Sequence, residues 1–94
     1  MTPEGKVKAG VKRILDSLGC YYFFPQSGAF GRSGIPDIIG CYKGKFFGIE
    51  CKAGKGTTTA LQDKELQKIE DAEGIALLVN EHNIEEVEKC LRNF

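Results

Sequence analysis

The sequence has four cysteines in no ordered spacing, a single histidine, no excess of either charge and no long apolar run. Cys20, Cys41, Cys51 and Cys90 form no CxxC pair, and His82 alone cannot complete a zinc set, so a zinc or thiol-redox protein is the weakest reading. The cysteines read instead as buried, reduced, small apolar residues. No apolar stretch approaches the ~18 residues of a membrane span, and no signal-type segment opens the sequence, so a soluble, cytoplasmic protein without a membrane partner is expected. With 13 basic and 13 acidic residues, overall basicity cannot attract a polyanion, and any such site must come from local segregation of charge.

That segregation is present. Lys6, Lys8, Lys12 and Arg13 cluster early and Arg32, Lys43, Lys45, Lys52 and Lys55 follow, whereas acidic residues concentrate from Asp63 to Glu88. At 94 residues, with 41% apolar and 28% charged residues, the chain has the size and balance of one globular domain, 1–94.

Thr2-Pro3 is an N-cap followed by proline at the first helical position, and Val7, Val11, Ile14, Leu15 and Leu18 recur at helical spacing, so a helix is expected up to Gly19. Cys20 to Phe24 reads as an aromatic strand in the sheet core, stopped at Pro25. Gln26 to Pro36, with Gly28, Gly31 and Gly34, is a turn-rich loop. Asp37 to Tyr42 and Lys45 to Lys52 are strands that Lys43-Gly44 joins as an antiparallel hairpin. A helix from Thr59 to Glu73 is stopped by Gly74, and Ile75 to Val79 is a strand apolar enough to be buried on both faces. Asn83 with Glu86 resembles a capping box for a last helix carrying Ile84, Val87, Leu91 and Phe94 on one stripe. The order is αβββαβ with a C-terminal helix, an α/β fold with one central mixed sheet flanked by helices.

Glu50 and Lys52 share one face of their strand, because alternate side chains point the same way. If Tyr42 pairs with Lys45, counting outward sets Asp37 opposite Glu50, within the ~5 Å of a cross-strand pair; a slip of one residue would spoil this. Two convergent carboxylates suit a hard cation such as Mg²⁺, with the Cys51 backbone carbonyl completing the protein's share. A phosphodiester needs a metal to withdraw charge and activate water, and a cation to stabilise developing negative charge. Lys52 fits the last role, and orienting or deprotonating the water is open to it as well.

Glu4 continues the Val7 and Val11 stripe, and Gln62 that of Leu66 and Ile69, so both are expected at the inward edge of a helix start. There Glu4 would add a carboxylate to the metal or its waters, and Gln62 would orient Lys52, a water or a phosphate. The competing readings are a first-turn acid favoured by the helix dipole and an ordinary helix-surface residue. Arg32 and Ser33 of the glycine-rich loop, Lys8 and Lys12 of the first helix, and Lys55 are the candidates for nucleic-acid contact; a plain connector and a solvated face compete.

Gly34-Ile35-Pro36-Asp37, the Ile49-Glu50-Cys51-Lys52 signature, the Thr58 to Gln62 segment and the early Glu4 together resemble the VRR-NUC branch of the PD-(D/E)xK nucleases. The resemblance covers nearly the whole chain. It implies a restriction-endonuclease-like core and a Mg²⁺- or Mn²⁺-dependent deoxyribonuclease acting on branched, flapped or four-way DNA. Stand-alone members resemble bacteriophage proteins that act as homodimers, which would place the protein in a bacterial host cell. Tyr21, Phe30 and Phe46 are candidates for the dimer surface. The alternative to a nuclease is a catalytically inactive nucleic-acid-binding or assembly module that keeps the fold.

Overall fold

The computed structural model describes residues 1–26 and 31–93. Gly28 and Phe30 of the readings above lie outside the described residues, and so does Phe94. Helix α1 spans Pro3–Leu18; Thr2 Oγ1 accepts from the Gly5 N–H at 3.0 Å, and left-handed Gly19 closes its end. Strands β1 (Tyr21–Phe23), β2 (Ile38–Tyr42) and β3 (Lys45–Cys51) follow, then helix α2 (Ala60–Asp71), strand β4 (Ile75–Val79) and helix α3 (Glu86–Arg92).

The sheet order is β1-β2-β3-β4, with antiparallel pairing up to β3 and a parallel β3 to β4 pair reached through α2. This is the mixed sheet that the element order implies. Lys43 and Gly44 both take positive φ, 49° and 85°, which is the two-residue turn whose twist matches an antiparallel hairpin. Tyr42 therefore pairs with Lys45, and the ladder runs to Ile38 opposite Ile49. Asp37 precedes the first pair of this ladder, and its Oδ2 reaches the Cys51 N–H at the far end of β3.

The pleat divides the sheet into two unlike faces. Ile38, Tyr42, Phe47, Ile49, Cys51, Ile75 and Val79 point to one side, where Val7, Val11 and Leu15 of α1 and Val87 and Leu91 of α3 close the core. Burying a side chain such as Phe47 or Leu15 stabilises the fold by roughly 2–3 kcal/mol. On the other side lies α2, seated so closely that a Cβ on Gly48 would come within 2.5 Å of Ile69 Cδ1. Glu50 belongs to this second face, at the end where α2 begins.

Several local expectations change. Asn83 does not cap α3: its Oδ1 accepts from the Asn80 N–H at 2.8 Å and its Nδ2 donates to the Leu78 carbonyl at 3.0 Å, so it ties the turn to the end of β4 instead. The left-handed residue after α2 is Glu73 rather than Gly74, which is small because Ile69 and the Phe46 carbonyl crowd it. Strand β4 is a sheet edge, and Leu78 stays 45% exposed. The aromatic strand is only partly sheet core. Tyr21 and Phe23 lie on the α2 side, where Phe23 borders one pocket with Glu65, Lys68 and Ile69 of α2 and Tyr21 is 75% exposed, while Tyr22 packs against the core on the other side. Of the four cysteines, all unpaired, only Cys51 is fully buried.

Candidate active site

The site forms where the N-termini of α1 and α2 meet the outer end of the β2 and β3 pair. Gly34 sets the approach: its φ is 83°, and a Cβ there would lie 2.5 Å from the Leu61 carbonyl oxygen. The loop thus passes under the start of α2 and delivers Pro36 and Asp37 to the sheet. Asp37 Oδ2 accepts from the Cys51 N–H at 2.9 Å, which fixes the carboxylate across the end of β3.

Glu50 is 2% exposed, an unusual position for a carboxylate. Its Oε2 accepts from Gln62 Nε2 at 3.1 Å and lies 3.5 Å from Lys52 Nζ. Its Oε1 is buried and has no hydrogen-bond partner among the described residues. Burial, and then the neighbouring Asp37 charge, push the Glu50 carboxyl up to about 7, against the pull of Lys52. Burial likewise pushes the Cys51 thiol up to about 12, helped by Asp37, so this residue offers its backbone rather than its sulfur.

Lys52 follows the last residue of β3 and is held in line because its N–H donates to the Val79 carbonyl at 2.9 Å. Gln62 is the N3 residue of α2, and its Oε1 accepts from the Thr59 N–H at 3.0 Å while Thr59 Oγ1 accepts from the Gln62 N–H at 3.2 Å. The structure brings Gln62 against Glu50, a partner outside the Lys52, water or phosphate that helical phase suggests.

Lys8, read from the sequence as a candidate for nucleic-acid contact against a competing solvated face, lies beside the cluster of carboxylates. Its Nζ is 3.5 Å from Asp37 Oδ1 and 3.6 Å from Glu4 Oε2. Burial works against its charge, but attraction to Asp37 and then Glu4 outweighs that, so its pKa lies above the ordinary lysine value. Glu4 therefore meets the cluster through Lys8. Only the i, i+4 spacing of Glu4 and Lys8 could have hinted at this.

A polar cleft of about 460 Å³ opens beside these groups, lined by Lys8, Arg32, Ser33, Gly34, Asp37 and Gln62 among others. Arg32 stands on its wall already paired, with Nη2 donating to both Glu65 oxygens at 2.8 Å, a partnership the sequence did not suggest. Lys12 pairs with Asp16 at 3.0 Å away from the cleft, and Lys55 is exposed on the loop after β3.

The donor set fits a hard divalent cation. Among the described residues no group of three or more His, Cys, Asp or Glu side chains surrounds one point. The open Glu50 Oε1, the adjacent Asp37 carboxylate and a strand-end carbonyl are all oxygen donors, however, and an unpartnered buried carboxylate oxygen beside a second carboxylate calls for a cation.

Asp37, Glu50 and Lys52 gather at the end of a β hairpin, next to a capped helix that carries Gln62, on a fold and in a family of the nuclease superfamily. A solved structure described as "VRR_NUC domain" shares the fold with a TM-score of 0.77 over 95% of this chain and 97% of its own, at 19% identity. The family model described as "Archaeal holliday junction resolvase (hjc)" matches residues 9–74, and the chain belongs to that family. The matched stretch contains Asp37, Glu50, Lys52 and Gln62, whereas Glu4 and Lys8 precede it. A comparison with curated proteins finds no match.

Proposed function

We propose that the protein is a metal-dependent endonuclease that hydrolyses phosphodiester bonds in branched DNA, with four-way junctions as its preferred substrate. The observation that carries this is the buried Glu50, with one oxygen held by Gln62 and Lys52 and the other open beside Asp37. Asp37, Glu50 and the Cys51 carbonyl would hold Mg²⁺ or Mn²⁺, which when bound lowers the pKa of water and withdraws charge from the phosphoryl group. Lys52 places an ammonium where negative charge develops, on a side chain only 16% exposed. Gln62 fixes the rotamer of Glu50. Ser33, Lys8 and Arg32 line the cleft by which a phosphate backbone would enter, and the family's printed name supports the junction as substrate.

A homodimer suits a junction, since two copies related by a two-fold axis present two such sites to symmetric DNA. Tyr21, Phe23 and Phe46, exposed together on the sheet face that α2 leaves uncovered, support a second copy as its occupant. The reduced cysteines suit the cytoplasm, where such DNA occurs.

The test is cleavage of labelled duplex, single-stranded, flapped and four-way DNA with Mg²⁺ and with Mn²⁺. Four-way DNA should be cut fastest, and Glu50→Gln or Lys52→Ala should each lower the rate by roughly 10²–10³ while the circular dichroism spectrum is kept. Full activity in both variants would overturn the site. Binding without cleavage under every metal tested would show a binding module that has kept the nuclease fold.

A further inference from the structure

Asp37 is shared by two carboxylate neighbours that the fold treats differently. Toward Glu50 the arrangement is open, because Glu50 Oε1 is buried and unpartnered. Toward Glu4 the arrangement is filled, because Lys8 Nζ stands 3.6 Å from Glu4 Oε2 and 3.5 Å from Asp37 Oδ1. Glu4 and Lys8 lie one turn apart on α1, so this pairing is built into the helix and requires no ligand to form.

Two-ion phosphodiesterase sites hold their metals about 3.5–4 Å apart, bridged by a shared carboxylate with further oxygen donors on each side. Asp37 is placed to be that bridge, with Glu50 on one side and Glu4 on the other. Lys8 occupies the Glu4 side with a tethered positive charge. The charges agree: Glu4, Asp37 and Glu50 carry three negative charges when ionised, Lys8 and Lys52 return two positive ones, and one divalent ion leaves the cluster positive. A second ion would then enter an already positive cluster and meet the Lys8 ammonium at contact distance.

We propose that Lys8 holds the second cation position of this site, so that each chain binds a single divalent ion and the Lys8 ammonium meets the phosphate where a second metal would otherwise stand. Lys8 also lines the polar cleft with Ser33 and Gln62. Glu4 is then a positioning residue for Lys8. The inference rests on the metal site proposed above.

Stoichiometry tests it without reference to cleavage. Mn²⁺ is titrated into metal-free protein at pH 8, with free ion followed by electron paramagnetic resonance and heat by calorimetry. The wild-type chain should bind one ion, and Lys8→Met should bind two. Lys8→Arg, which keeps the charge, and Lys12→Met, whose lysine pairs with Asp16 elsewhere, should both bind one. Lys8→Gln serves in place of Lys8→Met if thermal melting shows the latter to be unfolded. Two ions on the wild-type chain, or one ion on both the wild-type chain and the neutral variant, would overturn the role of Lys8 and leave the metal site standing. Absence of Mn²⁺ binding by the wild-type chain would overturn both.

Discussion

The side-chain amide of Gln62 serves two partners at once: its Nε2 donates to Glu50 Oε2 at 3.1 Å, and its Oε1 accepts from the Thr59 N–H at 3.0 Å. The capping box that starts α2 and the orientation of the buried carboxylate are therefore one device. Gln62→Glu separates the two functions, since a carboxylate still accepts from Thr59 but cannot donate to Glu50 and sets a like charge beside it. Helical content should be unchanged, whereas cleavage at pH 7 should fall by roughly 10–100-fold, with the pH–rate profile displaced to higher pH. A profile identical to that of the wild type would show that the amide does not hold Glu50.

Glu50 gives the fold a pH dependence of known sign. Its folded pKa of about 7 lies above the ordinary 4.5, so between these values the folded state binds more protons than the unfolded state. Stability of the metal-free protein therefore falls as pH rises from about 4.5 to about 7 and is level above. Glu50→Gln removes this penalty, and at pH 8 the metal-free variant should be more stable than the wild type by about 1–3 kcal/mol, a difference that vanishes near pH 4. Excess Mn²⁺ should reverse the order, because only the wild-type carboxylate recruits the ion. Thermal melts across pH, with and without Mn²⁺, check all three statements, and equal melting at pH 8 would contradict them.

Gly34 and Gly31 both have positive φ, yet they differ in what surrounds them. A Cβ on Gly34 meets the Leu61 carbonyl at 2.5 Å and the Gln62 nitrogen at 2.9 Å, whereas one on Gly31 meets nothing within 4 Å among the described residues. Gly31→Ala should cost about 1 kcal/mol from the left-handed backbone alone. Gly34→Ala should cost about 2–4 kcal/mol and reduce cleavage as well, because the start of α2 must move and Gln62 with it. Urea unfolding of the two variants, measured beside their cleavage rates, separates these effects.

The uncovered sheet face gives a test of assembly. Phe46 is 46% exposed and shares that face with Tyr21 and Phe23, a contiguous aromatic patch of the kind that marks an interface. The wild-type chain should sediment as a dimer, and Phe46→Arg as a folded monomer with slower cleavage of four-way DNA. A monomeric wild type, with and without junction DNA, would refute the dimer.

Much of the site could be read from the chain because it is set by local counting. The Lys43-Gly44 turn forces Tyr42 opposite Lys45, the ladder then runs out to Ile38 opposite Ile49 with Asp37 just before it, and strand alternation puts Lys52 beside Glu50. Helical phase carried Gln62 inward in the same way. These relations depend on neighbours within one hairpin or one helix, where backbone geometry leaves few choices.

Tertiary structure decided what lies between elements. That Gln62 holds Glu50, that Lys8 stands between Glu4 and Asp37, and that Arg32 is engaged by Glu65 all depend on how closely α1, α2 and the loop before β2 approach one another. Tyr21 and Phe23 of β1 stayed exposed because α2 packs over β3 and β4, whereas Tyr22 on the opposite face packs against the core, a matter of helix placement that no local period records. The sequence by itself determined the register that aligns the two carboxylates. The raised pKa of Glu50 and the engagement of Lys8 came only from the packing, because desolvation and charge pairing depend on distances that the folded chain alone defines.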